Sequence, residues 1–292
     1  MMKKILLTGA NGMLAYDFQK FCGQDFEIVG MDVDQLDITS LEAVKNVLIE
    51  VKPDVVLNLA AYTNVDEAED SGRLLNYQVN TLGVYNLAKI TTELGIDLIS
   101  ISSDYVFSGE FQRISSENTR EFGRSVDDAC NPVNAYGMAK ILGEQLGKAE
   151  NKNLIIVRTS WLYGGGPQFK NFVNTMLKLF ETKDEIKVVN DQFGLPTYTK
   201  DLSLALQAVI ERIEDFRGQI LHFSNGGDRA INWFDFAKEI NKLSTVKILP
   251  CGSDEFPTKA KRPKFSRLLN ESEIQLRDWR EGVEEYVKSL EE

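Results

Sequence analysis

Short apolar runs alternate with longer amphipathic segments in the first half of the chain. Runs of four to six residues rich in Val, Ile and Leu predict strands at residues 5–8, 26–31, 55–59, 98–102 and 154–158. Their hydrophobicity is nearly continuous, which indicates strands buried on both faces of a parallel sheet. Helices are predicted between the strands at residues 12–21, 40–51, 74–94 and 135–150. This alternation predicts an α/β fold with a Rossmann-like doubly wound parallel sheet.

The rhythm loosens after residue 160. Three glycines at 164–166 interrupt the pattern, and residues 191–196 are typical of a loop. Further helices are predicted at residues 169–180, 199–213, 233–243 and 281–290, and strands at 186–189, 219–223 and 246–249. We therefore predict a core over residues 1–160 and a smaller α/β lobe over residues 161–292, with some late elements returning to the core.

Composition narrows the classes of function. The 292 residues are 43% hydrophobic and 26% charged, as in a soluble globular protein. The chain has 33 Lys and Arg against 44 Asp and Glu, a net charge of −11, which disfavours nucleic acid and anionic membranes as partners. His222 is the only histidine, so a His-rich metal site is excluded, and its apolar run favours a structural role. We expect a small-molecule partner and no metal.

The cysteines and apolar runs bear on location. Cys22, Cys130 and Cys251 are far apart and odd in number, which favours reduced thiols over a disulfide framework. No apolar run approaches the ~18 residues of a membrane span, and the run near the start is too short for a signal peptide. These features predict a cytoplasmic protein without a targeting segment.

The turn after the first predicted strand carries the sequence Gly-Ala-Asn-Gly-Met-Leu-Ala over residues 9–15. Glycines here let the backbone turn tightly and approach a pyrophosphate at the positive end of the next helix. Asp32 ends the second strand, where a carboxylate accepts hydrogen bonds from ribose hydroxyls. No Lys or Arg lies beside it in the sequence, so NADH is favoured over NADPH. The pattern predicts that residues 1–160 form a dinucleotide-binding core.

A second motif is Tyr136-Gly-Met-Ala-Lys140, within a predicted helix. Residues four apart share a helix face, so the phenol and the ammonium can act at one point. A nearby cation favours phenolate, which predicts a pKa of Tyr136 lowered from ~10 toward neutrality. Ser103 ends the fourth strand, where its hydroxyl would point into the crevice used by ligands of open α/β sheets. Ser103 would polarise a carbonyl beside Tyr136.

These motifs, with several longer segments, carry a family resemblance. The further segments are residues 58–66, 103–107, 158–163, 190–197 and 262–266. Over nearly its whole length the chain resembles the extended short-chain dehydrogenase/reductase family, and within it the dTDP-4-dehydrorhamnose reductases. The resemblance implies NAD(P)H-dependent reduction of the 4-keto group of a nucleotide-linked 6-deoxyhexose. The implied reaction is dTDP-4-dehydro-L-rhamnose to dTDP-L-rhamnose, a step of polysaccharide biosynthesis.

The resemblance also implies residue roles. Tyr136 would be the proton donor, Lys140 would lower its pKa and hold the nicotinamide ribose, and Ser103 would act on the reacting carbonyl. Residues implied to contact the cofactor, besides Tyr136 and Lys140, are Gly9, Asn11, Gly12, Met13, Leu14, Asp32, Asp37, Ile38, Ala60, Ala61, Tyr62 and Asn80. Residues implied to contact the substrate are Thr63, Ser103, Asp104, Trp161 and Arg262. Asn80 would support Lys140 through water, Trp161 would lie against the sugar ring, and Arg262 would meet the diphosphate.

The chain departs from the family pattern at two places. Residues 109–131 form a longer, polar segment that would overhang the site as a lid, an interface or a disordered loop. Ser103 stands where the family usually has Thr, which keeps the hydroxyl.

Two alternatives remain beside the reductase. One is a nucleotide-sugar epimerase or dehydratase of the same superfamily, although Tyr105 stands where such dehydratases carry a catalytic Glu. The other is a non-catalytic nucleotide-binding regulatory subunit, against which the intact Ser103, Tyr136 and Lys140 argue. A homodimer is compatible with the sequence.

Overall fold

In the computed structural model, which describes residues 2–110, 123–243 and 245–290, six of the strands form one parallel sheet. In chain order, the strands are β1 (Lys4–Thr8), β2 (Glu27–Met31), β3 (Val55–Asn58), β4 (Asp97–Ser103), β5 (Ile155–Thr159), β6 (Leu162–Tyr163), β7 (Glu185–Val189), β8 (Phe193–Gly194), β9 (Thr197–Tyr198), β10 (Ile220–His222), β11 (Ile231–Asn232) and β12 (Lys247–Cys251). Most of the polar segment at 109–131 lies outside the described residues.

The helices alternate with the sheet strands in the first half. In chain order, they are α1 (Met13–Cys22), α2 (Leu41–Val51), α3 (Arg73–Tyr77), α4 (Val84–Leu94), α5 (Ala135–Glu150), α6 (Phe172–Phe180), α7 (Thr199–Glu211), α8 (Ile213–Phe216), α9 (Trp233–Ile240) and α10 (Trp279–Ser289). Within the described ranges, no helix is long and apolar enough to cross a membrane.

The central sheet has the strand order β10-β5-β4-β3-β1-β2. Its strands are covered on both sides, as the continuous apolar runs predict. In β1, Ile5 and Leu7 pack with α1 and α7 on one face, while Leu6 packs with α2 and α4 on the other. The predicted α/β fold with a doubly wound parallel sheet is confirmed.

The order reverses between β1 and β3, because the chain leaves β1 to form β2 on one side and then returns to form β3 on the other. Open α/β sheets bind ligands at such a switch point, beyond the carboxyl ends of the strands. The topology therefore places a ligand crevice above β1, β3 and β4.

A second, aromatic core lies among the later elements. Tyr163, Phe236, Trp279 and Tyr286 are its large buried members, and the two-stranded pairings of β6 with β9, β7 with β12 and β8 with β11 surround it. Meanwhile β10 pairs with β5 in the central sheet, and α7 packs on α1. Late elements thus rejoin the first sheet. The division at residue 160 stays a prediction.

The prediction of one continuous helix at residues 74–94 is wrong in one respect. The helix runs through α3 and α4, but residues Gln78–Gly83 between them form a π-helical turn. The loop predicted at 191–196 also contains the short strand β8. Other predicted elements differ from the observed ones only at their ends.

Candidate active site

A crevice of about 820 Å³ opens at the carboxyl ends of β1, β3 and β4. A larger groove of about 1110 Å³ lies at the opposite ends of the strands and is lined by residues such as Lys4, Asp54 and Asp97. No residue predicted for the site lines that groove. Because ligands of doubly wound sheets bind at the carboxyl ends of the strands, the smaller crevice is the candidate active site.

The turn from β1 into α1 forms one end of the crevice. Gly9 has a φ of +64°, and a Cβ there would lie 2.8 Å from the backbone of Ala60. Only glycine fits this close approach of two loops. Gly12 precedes α1 without a side chain to cap it, so the first amides of α1, from Met13 and Leu14, lie uncapped at the crevice. Uncapped amides at a helix start fit the pyrophosphate of a dinucleotide.

Asp32 lies beside this turn, at the end of β2. Its carboxylate accepts hydrogen bonds from the backbone amides of Asn11, at 3.0 Å, and Val33, at 2.7 Å. These bonds fix the carboxylate at the crevice wall, where ribose hydroxyls of a dinucleotide can reach it. Together with the uncapped amides of α1, it makes a set of groups that fits a nicotinamide dinucleotide.

Helix α5 brings the Tyr–Lys pair to the middle of the crevice. The helix begins at Ala135 because the Asn134 side chain accepts the amide of Gly137, at 2.8 Å. A Cβ on Gly137 would lie 2.1 Å from the carbonyl oxygen of Tyr105, so glycine lets α5 pack against the turn after β4. This contact holds Tyr136 next to Ser103 and Asp104, which lie at the start of that turn.

Lys140 lies beneath Tyr136, with its Nζ 5.9 Å from the centroid of the phenol ring. The ammonium donates to the carbonyl oxygen of Ile101 on β4, at 3.1 Å. Burial lowers the pKa of Lys140 to about 8, although the Glu144 carboxylate partly opposes this effect. The predicted face-sharing of Tyr136 and Lys140 is thus present in the helix.

The prediction for the phenol pKa is wrong for this structure. Burial raises the pKa of Tyr136, the charge of Asp104 raises it further, and contact with the Ser103 hydroxyl opposes them. Lys140 does not lower it, because its ammonium lies under the ring rather than beside the hydroxyl. Tyr136 therefore stays protonated at neutral pH.

Ser103 and Asp104 form the floor of the crevice where β4 ends. The Ser103 hydroxyl donates to Oδ1 of Asp104 at 3.0 Å and accepts from the amide of Tyr105 at 3.2 Å. Asp104 is buried, and burial raises its pKa to about 6, while hydrogen bonds from Ser266 and Ser103 oppose that rise. The crevice floor thus combines a hydroxyl, a phenol and a carboxylate.

Trp161 lies where the chain leaves β5. Its φ of +48° is in the left-handed region, a strained conformation for a bulky side chain. Its ring stacks on Trp233 of α9, with centroids 3.7 Å apart and planes within 10°. A Cβ on Gly194 would lie 2.8 Å from the Trp161 ring, so glycine permits this placement as well.

Most of the predicted site residues lie in one place. The crevice is lined by Gly9, Gly12, Met13, Leu14, Asp32, Asp37, Ile38, Ala60, Ala61, Tyr62, Thr63, Ser103, Asp104, Tyr136, Lys140 and Trp161. Residues far apart in the sequence therefore meet as expected.

Three predicted residues do not line the crevice. Asn11 contributes only its backbone amide, to Asp32. The Asn80 amide is committed to the backbone of Tyr62, accepting its amide at 3.2 Å and donating to its carbonyl at 2.8 Å. It thereby anchors the loop after β3. Arg262 forms an ion pair with Asp66 at 2.8 Å, and its expected contact with the diphosphate stays a prediction.

Two of the crevice residues that sequence reasoning missed come from the elements after β6. Trp233 lines the crevice from α9 and Lys170 from the segment before α6. Lys170 and Lys140 are the Lys or Arg side chains among the described residues that line this crevice. Both of these residues stand in segments without a recognised motif, and a fold was needed to bring them to the site.

Comparison with known proteins identifies the relatives of this arrangement. Residues 2–292 match the protein family described as RmlD substrate binding domain. The chain belongs to this family. The spore coat polysaccharide biosynthesis protein SpsK of Bacillus subtilis is 38% identical over 294 residues, which cover 98% of this chain and 98% of that protein.

Solved structures of other relatives have the same fold as this chain. A dTDP-4-dehydrorhamnose reductase from Clostridium acetobutylicum superimposes with a TM-score of 0.89 at 41% identity, covering 99% of this chain and 100% of that one. Another, from Bacillus anthracis and in complex with NADP, gives 0.88 at 36% identity, covering 99% and 100%. As a member of the RmlD family, the chain is an NAD(P)-dependent oxidoreductase. The resemblance predicted from the sequence is confirmed.

The described residues contain no group of three or more His, Cys, Asp or Glu side chains placed to hold a metal ion. His222 lies outside the crevice, on β10. Its Nδ1 lies 3.0 Å from the carbonyl oxygen of Arg124, and burial lowers its pKa to about 3. The ring is therefore neutral, in keeping with the structural role expected for it.

Proposed function

We propose that this protein reduces the 4-keto group of a nucleotide-linked 6-deoxyhexose, with dTDP-4-dehydro-L-rhamnose as substrate and dTDP-L-rhamnose as product. The observation that carries the proposal is the meeting of Ser103, Tyr136 and Lys140 in one crevice with the Gly9 turn. The names of the solved relatives, dTDP-4-dehydrorhamnose reductases, support the choice of substrate.

In the proposed mechanism, Tyr136 gives its phenolic proton to the sugar oxygen at C4. Its raised pKa keeps the phenol protonated at cellular pH, so the proton to be donated is present. The Ser103 hydroxyl donates to the same carbonyl oxygen, turning away from Asp104 to do so. A bound nicotinamide would supply the hydride, and the ammonium of Lys140 would hold the nicotinamide ribose beneath Tyr136.

The nicotinamide dinucleotide would be held by groups already described. The uncapped amides of Met13 and Leu14 would bind its pyrophosphate, and Asp32 its adenosine ribose. We propose NADH as the preferred cofactor, since a 2′-phosphate would meet the Asp32 carboxylate. The complex of the Bacillus anthracis relative with NADP makes the comparison of both cofactors part of the test.

We further propose that residues 161–292 act mainly as a substrate-binding lobe on the dinucleotide-binding core of residues 1–160. Trp161, Lys170 and Trp233 support this division, because they line the same crevice as Thr63 and Tyr105 of the core. In this view the sugar and its nucleotide lie between the two parts.

The test is a stoichiometric assay of the purified protein with dTDP- and GDP-linked 4-keto-6-deoxy sugars and either NADH or NADPH. The proposal predicts one NAD⁺ released per dTDP-sugar reduced, and a higher kcat/KM with NADH. Redox-neutral conversion of the sugar would instead identify an epimerase or dehydratase. Cofactor binding without turnover of any sugar would favour a regulatory subunit.

A further inference from the structure

A buried ion pair lies directly behind the crevice. Glu144 on α5 and Arg158 on β5 are 5% and 2% exposed. Arg158 donates to both carboxylate oxygens of Glu144, with Nε 3.0 Å from Oε1 and Nη2 2.6 Å from Oε2. Removing two charges from water costs several kcal/mol per ion, and an apolar pair is often as stable. Stability of the fold therefore does not explain this pair.

The Glu144 carboxylate is also held from β4. The hydroxyl of Ser102 donates to its Oε1 at 2.5 Å. Two neighbouring strands, β4 and β5, thus fix both oxygens, and every one of these bonds is donated to the carboxylate. Glu144 presents a fixed negative charge at the back of the crevice.

That charge lies close enough to act on Lys140. Glu144 follows Lys140 by one helical turn, so the two side chains share a face of α5. Both line one cavity of about 10 Å³, together with Asn80 and Ser102. Lys140 is only 5% exposed, so its ammonium has lost most of its hydration. A fixed carboxylate nearby offsets that loss.

Few other charges reach Lys140 in the described part of the chain. Its own helix carries Tyr136 besides Glu144, Asp104 follows β4, and Arg158 faces it from β5 behind the carboxylate. His222 on β10 and Cys130 lie farther back, against Arg158 at 3.4 and 3.3 Å. Of these groups, Glu144 is the one whose charge raises the pKa of Lys140.

We propose that Glu144 is a positioning residue that keeps Lys140 charged and fixed beneath Tyr136, and that Arg158 and Ser102 exist to hold Glu144. The effect of this positioning role on turnover rests on the proposed function. The effect of Glu144 on the charge of Lys140 does not, so the positioning role and the proposed function can be tested separately.

The direct test is a pH titration of Lys140 in the intact protein, followed by NMR of lysine labelled with ¹³C at Cε and assigned with Lys140→Met. In Glu144→Gln the carboxylate charge is lost while the side-chain shape is kept. The titration midpoint of Lys140 is expected to fall by about one unit or more, as for loss of a nearby opposite charge. An unchanged midpoint overturns the proposal.

Because Glu144→Gln leaves the buried Arg158 without a counter-ion, a second variant guards against misfolding. Glu144→Met/Arg158→Met removes both charges, and such apolar replacements usually fold. The midpoint is expected to fall here too, and no shift in this variant overturns the proposal. The matched control is Asp201→Asn, which breaks another ion pair, that of buried Asp201 with partly buried Arg277 at 3.0 Å, outside the crevice and the cavity that holds Lys140. It should leave the midpoint unchanged.

Turnover then separates this inference from the proposed function. If the protein is the reductase, the alkaline limb of kcat should move to lower pH in both Glu144 variants, parallel to the NMR midpoint. A lower midpoint in a protein that reduces no sugar supports the positioning role and contradicts the proposed function. A merely structural pair would lower kcat equally at all pH values, with the midpoint fixed, and would overturn the role.

Discussion

Burial brings the pKa values of two ionisable groups at the centre of the crevice, Asp104 and Lys140, close to neutral pH. It raises the pKa of Asp104 to about 6 and lowers that of Lys140 to about 8. At pH 7 both groups are mostly charged, so each carries an unfavourable desolvation that the fold must bear. A site that stabilises developing charge commonly costs stability in this way.

Asp104 should reveal this cost as a pH-dependent stability. Its folded pKa of about 6 lies above the usual 3.8, so the folded protein binds the proton more tightly and loses stability as pH rises from about 4 to 6. Asp104→Asn should therefore raise the free energy of unfolding at pH 8 by up to about 3 kcal/mol, with little effect at pH 4.

Urea unfolding at pH 4 and pH 8 measures the effect. Asp34→Asn, which changes an exposed carboxylate that does not line the crevice, serves as the control and should be neutral at both pH values. If Asp104→Asn destabilises the protein equally at both, burial is not what governs this carboxylate.

At the scale of elements, hydrophobic pattern predicted the sheet because each central strand is buried on both faces. It did not predict the π-helical turn at Gln78–Gly83, since one widened turn barely alters the spacing of apolar residues. That turn carries Asn80, whose amide binds the backbone of Tyr62. The sequence placed Asn80 near the site but not its partner.

Whether a site residue could be predicted depended on the element that carries it. Those in the turns after β1, β3 and β4 could be predicted, because strand ends of a doubly wound sheet converge. Trp233 and Lys170 could not, because tertiary packing of the later elements brings them to the wall. Arg262 was predicted to meet the diphosphate. Its ion pair with Asp66 could not be predicted, because that contact joins segments far apart in the sequence.

Helix α9 should contribute to substrate binding through Trp233. We expect Trp233→Ala to raise KM for the nucleotide sugar about three- to tenfold, the usual worth of an aromatic contact, because the Trp161 ring loses its stacking partner. The Kd for the cofactor should not change.

Phe234→Ala, the neighbouring aromatic position on α9 outside the crevice, is the matched control. It should leave both constants near wild type. Equal increases of KM in the two variants would mean that α9 acts only through its packing.

At the scale of the whole molecule, the charge of −11 opposes the approach of two anionic ligands. Lys140 and Lys170 are the Lys or Arg side chains that the described structure places on the crevice lining, and Arg262 is engaged with Asp66. We therefore expect the uncapped amides at the start of α1 to provide much of the phosphate binding.

This balance predicts an unusual response to salt. Because screening weakens the overall repulsion, kcat/KM should stay constant or rise by up to about threefold between low and physiological ionic strength. Initial rates at constant pH over a NaCl series measure it. A steep fall in kcat/KM would show that local cations, rather than backbone amides, dominate substrate capture.

Turnover of Tyr136→Phe tests most directly whether the crevice reduces a 4-keto sugar with Tyr136 as the proton donor. Tyr163→Phe is the matched control, since the Tyr163 hydroxyl is buried outside the crevice without a hydrogen-bond partner in the described structure. NADH-dependent reduction should fall about 10²- to 10⁴-fold in Tyr136→Phe, with the NADH Kd unchanged, and stay near wild type in Tyr163→Phe. Wild-type turnover in Tyr136→Phe would contradict the account.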